Sequence, residues 1–353
     1  MTPQVLMQST KRASTHDGRS KTTAHKRSPS TKDIGMCLKI AHLYFEGRKQ
    51  KDIAEQLQLT PSAVSRYLAQ ARGFMEFSYT IPGDEPLEAK LIHRYGLIDA
   101  VVVEATSAPE HARSIVGQAA ARYFLGNVTN GDGVAFSCGE TLLEMVKAIP
   151  SRRSLSLELS QLSIEGDPKA IHQAPSTLIG LLRAKLSDES HAFGIQLPPT
   201  GTVVDDQLFR KRLLGSELMG TMHKQVCASR FIFIGVAPVE GGNVGASSFM
   251  AIADKRLQSA IELGIQDLGI VGEINNRLFD RDGRDCTDKI AGLSSYFLNV
   301  INLDQLRNLA KGGTQLVLVA TGLSKALAIR VALSSGLANV VVTDREVANR
   351  LLE

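Results

Sequence analysis

Three short stretches combine residue types that hold anions or hydroxyl groups. VAFSCGETLLEMVKAI, residues 134–149, sets Ser137, Gly139 and Thr141 between an apolar run and an amphipathic one. Hydroxyls and the free backbone N–H groups of a helix start then meet in one place, which is how a chain cradles a phosphate. LVLVATGLSKALAIRVAL, residues 316–333, opens its helical part with Gly322 and Ser324 and carries Lys325 in the first turn, within reach of an anionic group. GIVGEINNRLFDRDGRD, residues 269–285, collects Glu273, Asp280 and Asp282 near a turn. Carboxylates accept hydrogen bonds from sugar hydroxyls. Each stretch also has a plainer reading: Gly and Thr cap ordinary helices, a lysine at a helix start is often only solvated, and an acidic turn is often only surface.

A fourth stretch suits nucleic acid. In QKDIAEQLQLTPSAVSRYLAQA, residues 50–71, Ile53, Ala54 and Leu57 fall on one side of a short helix starting at Gln50. Thr60 followed by Pro61 starts another, because the hydroxyl caps free N–H groups and proline suits the first helical position. Val64 and Leu68 then face inward, leaving Ser62, Ala63, Ser65 and Arg66 outward near the N-terminal end. Small side chains and one arginine let a helix sink into a major groove and still reach bases and phosphates. With Gln50, Thr60 and Tyr67 they form the candidate DNA-facing set. Gln58 stands at the turn position where glycine is common, at a small cost in backbone strain.

The elements that carry these residues form two blocks. An earlier helix spans Ile34–Phe45, with Ile34, Leu38, Ala41 and Phe45 at helical spacing, and Gly47 ends it. Together with the two helices above it makes a helix-turn-helix domain over residues 34–81. GFMEFSYTI alternates Phe74, Glu76, Ser78 and Thr80 against Met75, Phe77, Tyr79 and Ile81, as a short strand or wing does. PGDEP, residues 82–86, reads as the linker.

From residue 87 to 353, IDAVVVEA, GDGVAFSC, SRFIFIGVAP, GTQLVLVATG and LANVVVTD recur between helix-length segments. Short Val/Ile-rich runs in that rhythm predict an α/β domain with a doubly wound, Rossmann-like, mostly parallel sheet. Such sheets bind ligands beyond the C-terminal ends of their strands.

Charge is unevenly spread over the 353 residues, whose net charge is +4. Residues 1–33 hold seven Lys/Arg against two Asp, with no apolar periodicity, and read as a disordered basic tail attracted to phosphates. No run approaches the roughly 18 apolar residues that span a bilayer. Cys37, Cys138, Cys227 and Cys286 form no CxxC pair, so neither a zinc site nor a disulfide framework is expected, and a reducing cytoplasm fits. The eight histidines are not spaced as metal ligands. HExxH, Walker A and GxSxG elements are absent. No metal or cofactor is expected.

The order of the pieces resembles a known family. A helix-turn-helix followed by FSCGETL, LPPTG, FIGVAP, VGEINNRLFDRDG, VATGLSKALAI and ANVVVTD is similar to the SorC family of sugar-responsive bacterial transcriptional regulators, from about Gly35 to the C-terminus. The resemblance implies an effector domain related in fold to sugar-phosphate isomerases, with Gly139, Thr141, Glu273 and Lys325 lining its pocket. It also implies a double-stranded DNA operator, a small carbohydrate or sugar-phosphate effector, and a homodimer or homotetramer. Ser137, Asp280 and Gly322 complete the candidate effector set.

The family commonly has Gly-Gly where this chain reads QLSIEGDPK, with Ile164 and Glu165, and again where it reads Ala-Thr-Gly at 320–322. A bulkier, more acidic rim keeps an unphosphorylated sugar or polyol open beside a phosphate ester. A sugar-phosphate enzyme using Glu273 and Asp280 as an acid/base pair is the competing class. A ligand-free oligomerisation module is the third.

Overall fold

The computed structural model describes residues 4–6, 31–45, 47–71, 76–78, 83–105, 108–152, 154–164, 171–195, 207–240, 243–244, 255–290, 293 and 298–353. The chain divides into two compact units, Met1–Thr80 and Ile81–Glu353.

The first unit contains strand β1 (Gln4–Leu6), helices α1 (Thr31–Phe45), α2 (Gln50–Leu57) and α3 (Pro61–Ala71), and strand β2 (Glu76–Ser78). Two small clusters hold the helices together. Ile40 and Leu43 of α1 meet Ile53 and Ala54 of α2 and Val64 of α3, while Cys37 and Ala41 meet Ala71. Because α1 packs against both other helices, its buried face is Cys37, Ile40, Ala41 and Leu43, rotated from the expected one. Ala41 is common to both faces, Leu38 is only half-buried, and the side chains of Ile34 and Phe45 lie outside the described residues.

Gly47, at φ 89°, ends α1. Gln58 takes the left-handed conformation, φ 52° and ψ 43°, as the C-cap of α2. Thr60 Oγ1 accepts a hydrogen bond from the Ala63 N–H at 3.2 Å, the cap its sequence position calls for. β2 pairs antiparallel with β1, Val5 opposite Phe77. Two expectations for the tail are therefore corrected: Gln4–Leu6 is a strand, and α1 begins at Thr31. Residues 7–30 and the outer positions of the predicted wing, Phe74, Met75, Tyr79, Thr80 and Ile81, lie outside the described residues.

The second unit is built on a seven-stranded parallel sheet. In chain order its strands are β3 (Asp99–Val103), β4 (Gly133–Phe136), β5 (Glu158–Gln161), β7 (His191–Phe193), β8 (Phe231–Ile234), β14 (Gln315–Val319) and β15 (Val340–Asp344). In space they run β3-β15-β14-β8-β4-β5-β7. Five of them are the apolar runs of the sequence. β5, with the polar residues of ELSQ, and the three-residue β7 carry no such run.

Alternate residues of the central strands enter opposite cores. Ile232, Ile234, Leu316 and Leu318 join one cluster, and Phe231, Phe233, Val317 and Val319 the other, which is why these strands read as continuous apolar runs. The first cluster is covered by α4 (Glu85–Tyr95), α9 (Glu217–Cys227), α11 (Leu303–Lys311), α12 (Ala326–Ser334) and α13 (Arg345–Leu352). The second is covered by α5 (Pro109–Asn127), α6 (Glu140–Ala148) and α7 (Pro175–Arg183). Helices α8 (Gln207–Leu214) and α10 (Lys255–Asp267) complete the set.

A four-stranded antiparallel sheet begins where β8 ends, in the order β10 (Asn243–Val244), β9 (Ala237–Glu240), β11 (Ile270–Ile274) and β12 (Arg277–Asp280). The VGE segment, whose carboxylates were expected near a turn, is an antiparallel hairpin. Its tight turn sets Asn275 at φ 54° and Asn276 at φ 59°. A further pair joins β6 (Ser163–Ile164) to β13 (Leu298–Asn299); Glu165 lies outside the described residues.

The break at 82–86 is shorter than its composition suggests. Gly83 bridges Val103, the Asp84 N–H donates to the Val102 carbonyl at 3.0 Å, and Asp84 caps α4, which already includes Glu85 and Pro86. Proline at the first turn of a helix extends structure here instead of interrupting it. Among the described residues no helix is long and apolar enough to cross a membrane, and no group of three or more His, Cys, Asp or Glu is arranged to hold a metal ion.

Candidate functional site

In the first unit, the outward face of α3 presents Ser62, Ser65 and Arg66, all exposed. Thr60 is exposed too, but its hydroxyl is engaged with the α3 N-terminus and with Ser62 Oγ at 3.0 Å. Gln50 and Ala63 are half-buried. Tyr67 packs partly against both small cores, so its ring belongs chiefly to the interior. An arginine flanked by short hydroxyl side chains on a capped helix is able to reach bases and phosphates in a groove.

The second unit holds a cavity of about 470 Å³. Its place follows from the topology. From β4 the chain proceeds outward to β5 and β7; from β8 it proceeds the opposite way to β14 and β15. Loops leaving the adjacent strands β4 and β8 diverge, and the gap beyond their C-terminal ends is where open parallel sheets bind ligands. Cys138–Leu142 after β4, Gly235–Pro238 after β8, Val319 and Thr321–Lys325 around the end of β14, and Asp344 of β15 all line it. The hairpin adds Glu273 and Asn275, and α5 adds Arg113.

Local geometry explains each position. Gly139, at φ 151° and ψ 143°, is the N-cap of α6 without a side-chain cap. Its carbonyl accepts from Leu143 N at 3.0 Å, so the N–H groups of Glu140, Thr141 and Leu142 have no acceptor within the helix. Gly322, at φ 103°, opens the short 3-10 turn Leu323–Lys325 that precedes α12. Both glycines hold backbone that an L side chain rarely adopts.

Glu273 is buried in β11 opposite Ala237, and that pairing carries it over the strand ends. Its Oε1 accepts from the Asn276 N–H at 2.7 Å. Lys325 is half-buried; burial of its amine pushes the pKa below the ordinary 10.5, Glu140 and Glu273 draw it back up, and Arg113 lowers it. These four charged groups therefore share one electrostatic environment.

Two candidates stand elsewhere. Ser137 is buried behind the loop: its Oγ accepts from the Gly235 N–H at 3.1 Å and donates to the Cys138 carbonyl, bracing the ends of β4 and β8. Asp280 does not line the cavity. Its Oδ1 accepts from the N–H groups of Asp282 and Arg284, each at 2.9 Å, and closes the turn after β12. Asp282 pairs with Arg284 on the surface. Gly139, Thr141, Glu273, Gly322, Ser324 and Lys325 are brought together.

Sequence reasoning missed Arg113, Glu140, Asn275 and Asp344. The last three adjoin motif residues and were within reach of it. Arg113 lies in the interior of α5, where nothing local marks it. Asp344 holds the cavity wall: Oδ2 accepts from the Thr321 hydroxyl at 2.5 Å and the Gly322 N–H at 3.2 Å, while Oδ1 accepts from Val347 N at the start of α13.

The family model described as "Putative sugar-binding domain" matches residues 80–353. The deoxyribonucleoside regulator of Bacillus subtilis (strain 168) is 24% identical over 330 residues, 90% of this chain and 97% of that protein. The erythritol catabolism regulatory protein EryD of Brucella abortus (strain 2308) is 26% identical over 332 residues, 91% of this chain and 97% of its own. In fold, the chain is similar to the full-length sorbitol operon regulator SorC from Klebsiella pneumoniae, with a TM-score of 0.62 at 24% identity, covering 92% of this chain and 100% of that one.

Proposed function

The chain belongs to this sugar-binding domain family, and from that premise we propose that it is a DNA-binding transcriptional regulator whose effector, a carbohydrate or carbohydrate derivative, occupies the cavity at the sheet's switch point. The observation that carries the reading is the presence in one chain of a capped helix exposing Ser62, Ser65 and Arg66 and of a cavity lined by Glu273, Lys325 and the start of α6. Two similar proteins of nearly the same length are named as regulators, one of erythritol catabolism.

In this reading helices α1–α3 of the first unit bind the operator, and the second unit binds effector and associates with further copies. A homodimer or homotetramer places α3 helices in successive major grooves of a palindromic site. Thr60 supports the α3 interface by capping at the Ala63 N–H, Tyr67 supports it through packing, and Gln50 faces the DNA from the start of α2. Effector binding alters DNA affinity only to the extent that it favours one arrangement of subunits over another.

We read the cavity as a receptor and not as a catalytic centre. The acid/base pair considered above requires Asp280 at the cavity, whereas its carboxylate accepts from the Asp282 and Arg284 N–H groups and closes a turn. The DNA half of the proposal is tested by competition gel shift on fragments from upstream of the protein's own gene. Retention of one fragment against excess random DNA at physiological salt is expected. Equal competition by random DNA contradicts it.

A further inference from the structure

Resting on the reading of the cavity as an effector site, we infer that its ligand is an uncharged, hydroxyl-rich carbohydrate, a free sugar or polyol, and that phosphate esters are disfavoured. Two independent features carry this. The first is charge. Among the described residues the lining has two cationic side chains, Arg113 and Lys325, and four carboxylates, Glu140, Glu273, Asp344 and Glu346. Arg113 is already engaged, its Nε 3.1 Å from Glu140 Oε2.

Glu140 is the first residue of α6. A carboxylate in the first turn takes up the favourable field of the helix N-terminus that would otherwise draw an anionic ligand. A phosphate ester carries about −1.5 to −2 charge at neutral pH and would meet this resident carboxylate with Arg113 already paired. Lys325, the remaining cation of the described lining, is itself drawn to Glu140 and Glu273.

The second feature is an orphaned acceptor. Asn275 lines the cavity and is only 2% exposed. Its Nδ2 donates to the Leu162 carbonyl at 3.2 Å, and its own backbone carbonyl accepts from Asn299 Nδ2. The Leu162 contact is the one that sets which way the carboxamide lies. Its Oδ1 is buried with no hydrogen-bond partner among the described residues. A buried acceptor left unmade is costly, and a ligand that donates to it recovers that cost.

Glu273, two residues earlier, also lines the cavity, and its carboxylate is an acceptor that holds the Asn276 N–H. A phosphate dianion has no proton to give to either oxygen. A hydroxyl can donate where a phosphate oxygen only accepts, and its oxygen can also accept from Lys325 and from the N–H groups at the start of α6. A cavity of about 470 Å³ is within the ordinary range for small-molecule sites.

The test is calorimetric titration of the full chain with matched pairs: polyols and aldoses of three to six carbons, each beside its monophosphate, with inorganic phosphate as control. The expected result is that at least one free compound binds and that its monophosphate binds at least about tenfold more weakly. In Glu140→Gln, which removes the resident charge and keeps the side-chain shape, that ratio is expected to narrow by about tenfold.

A monophosphate that binds as tightly as its parent, or a ratio unchanged in Glu140→Gln, overturns the inference and leaves the effector reading intact. Binding by no member of any pair overturns the inference and the effector reading together. Retained operator binding in the same preparation then still identifies a DNA-binding protein.

Discussion

Lys325 shows how one side chain reports on its site. Burial holds its pKa below 10.5 despite the pull of Glu140 and Glu273, so the folded state releases its proton before the unfolded state does. Between the lowered value and 10.5 the unfolded chain binds more protons, and this group's contribution makes stability rise with pH across that window. Lys325→Met is expected to remove that rise and to abolish the effector response while sparing DNA binding. Denaturant titrations of both proteins from neutral pH towards 10.5, with effector dose-response curves on DNA, check both. Arg66→Ala is expected to weaken operator binding and to lower the salt slope by about 1 without changing the oligomeric state; an unchanged slope would remove Arg66 from the interface. Residues at strand ends and helix starts were legible in the sequence because glycine, hydroxyl and charge cluster there. Arg113 was not, since its role arises only when α5 packs beside α6. Asp280 misled for the converse reason: an acidic turn looks alike whether it faces a ligand or only closes on its own N–H groups.

At the scale of elements, the site depends on how closely α5 and α6 approach. A Cβ at Gly117 of α5 would lie 2.7 Å from Glu144 Cβ and 2.8 Å from Met145 N, the latter a backbone atom that cannot turn aside. Gly117→Ala is therefore expected to destabilise the second unit by about 1–3 kcal/mol. It should also weaken effector binding by shifting the start of α6, as thermal melts with and without ligand will show. Full stability with unchanged affinity would mean that the two helices separate freely. Helices and central strands were legible because their periods differ and both faces of β8 and β14 are apolar. β5 was not, because Glu158 and Gln161 bound a strand whose neighbours, not its composition, give it hydrogen bonds. The segment 83–86 was misread in the same way, since Pro and Asp mark a helix start as readily as a linker.

The whole molecule joins two compact units of opposite task. The residues before the second unit carry the excess positive charge, and the second unit carries the apolar strand runs and the cavity at their ends. That division was visible in charge and periodicity before any coordinates, and family membership over residues 80–353 accords with it. What neither periodicity nor charge conveys is the switch point between β4 and β8, which exists only once strands far apart in sequence lie side by side. The central claim is that occupancy of this cavity governs DNA affinity. Fluorescence anisotropy of the full chain on its own upstream DNA, titrated with free sugars and polyols at fixed physiological salt, tests it most directly. The account predicts specific binding whose midpoint shifts with one of these compounds in the wild-type protein and stays fixed in Lys325→Met. Specific binding that no compound shifts, or a shift that persists unchanged in the variant, would contradict it.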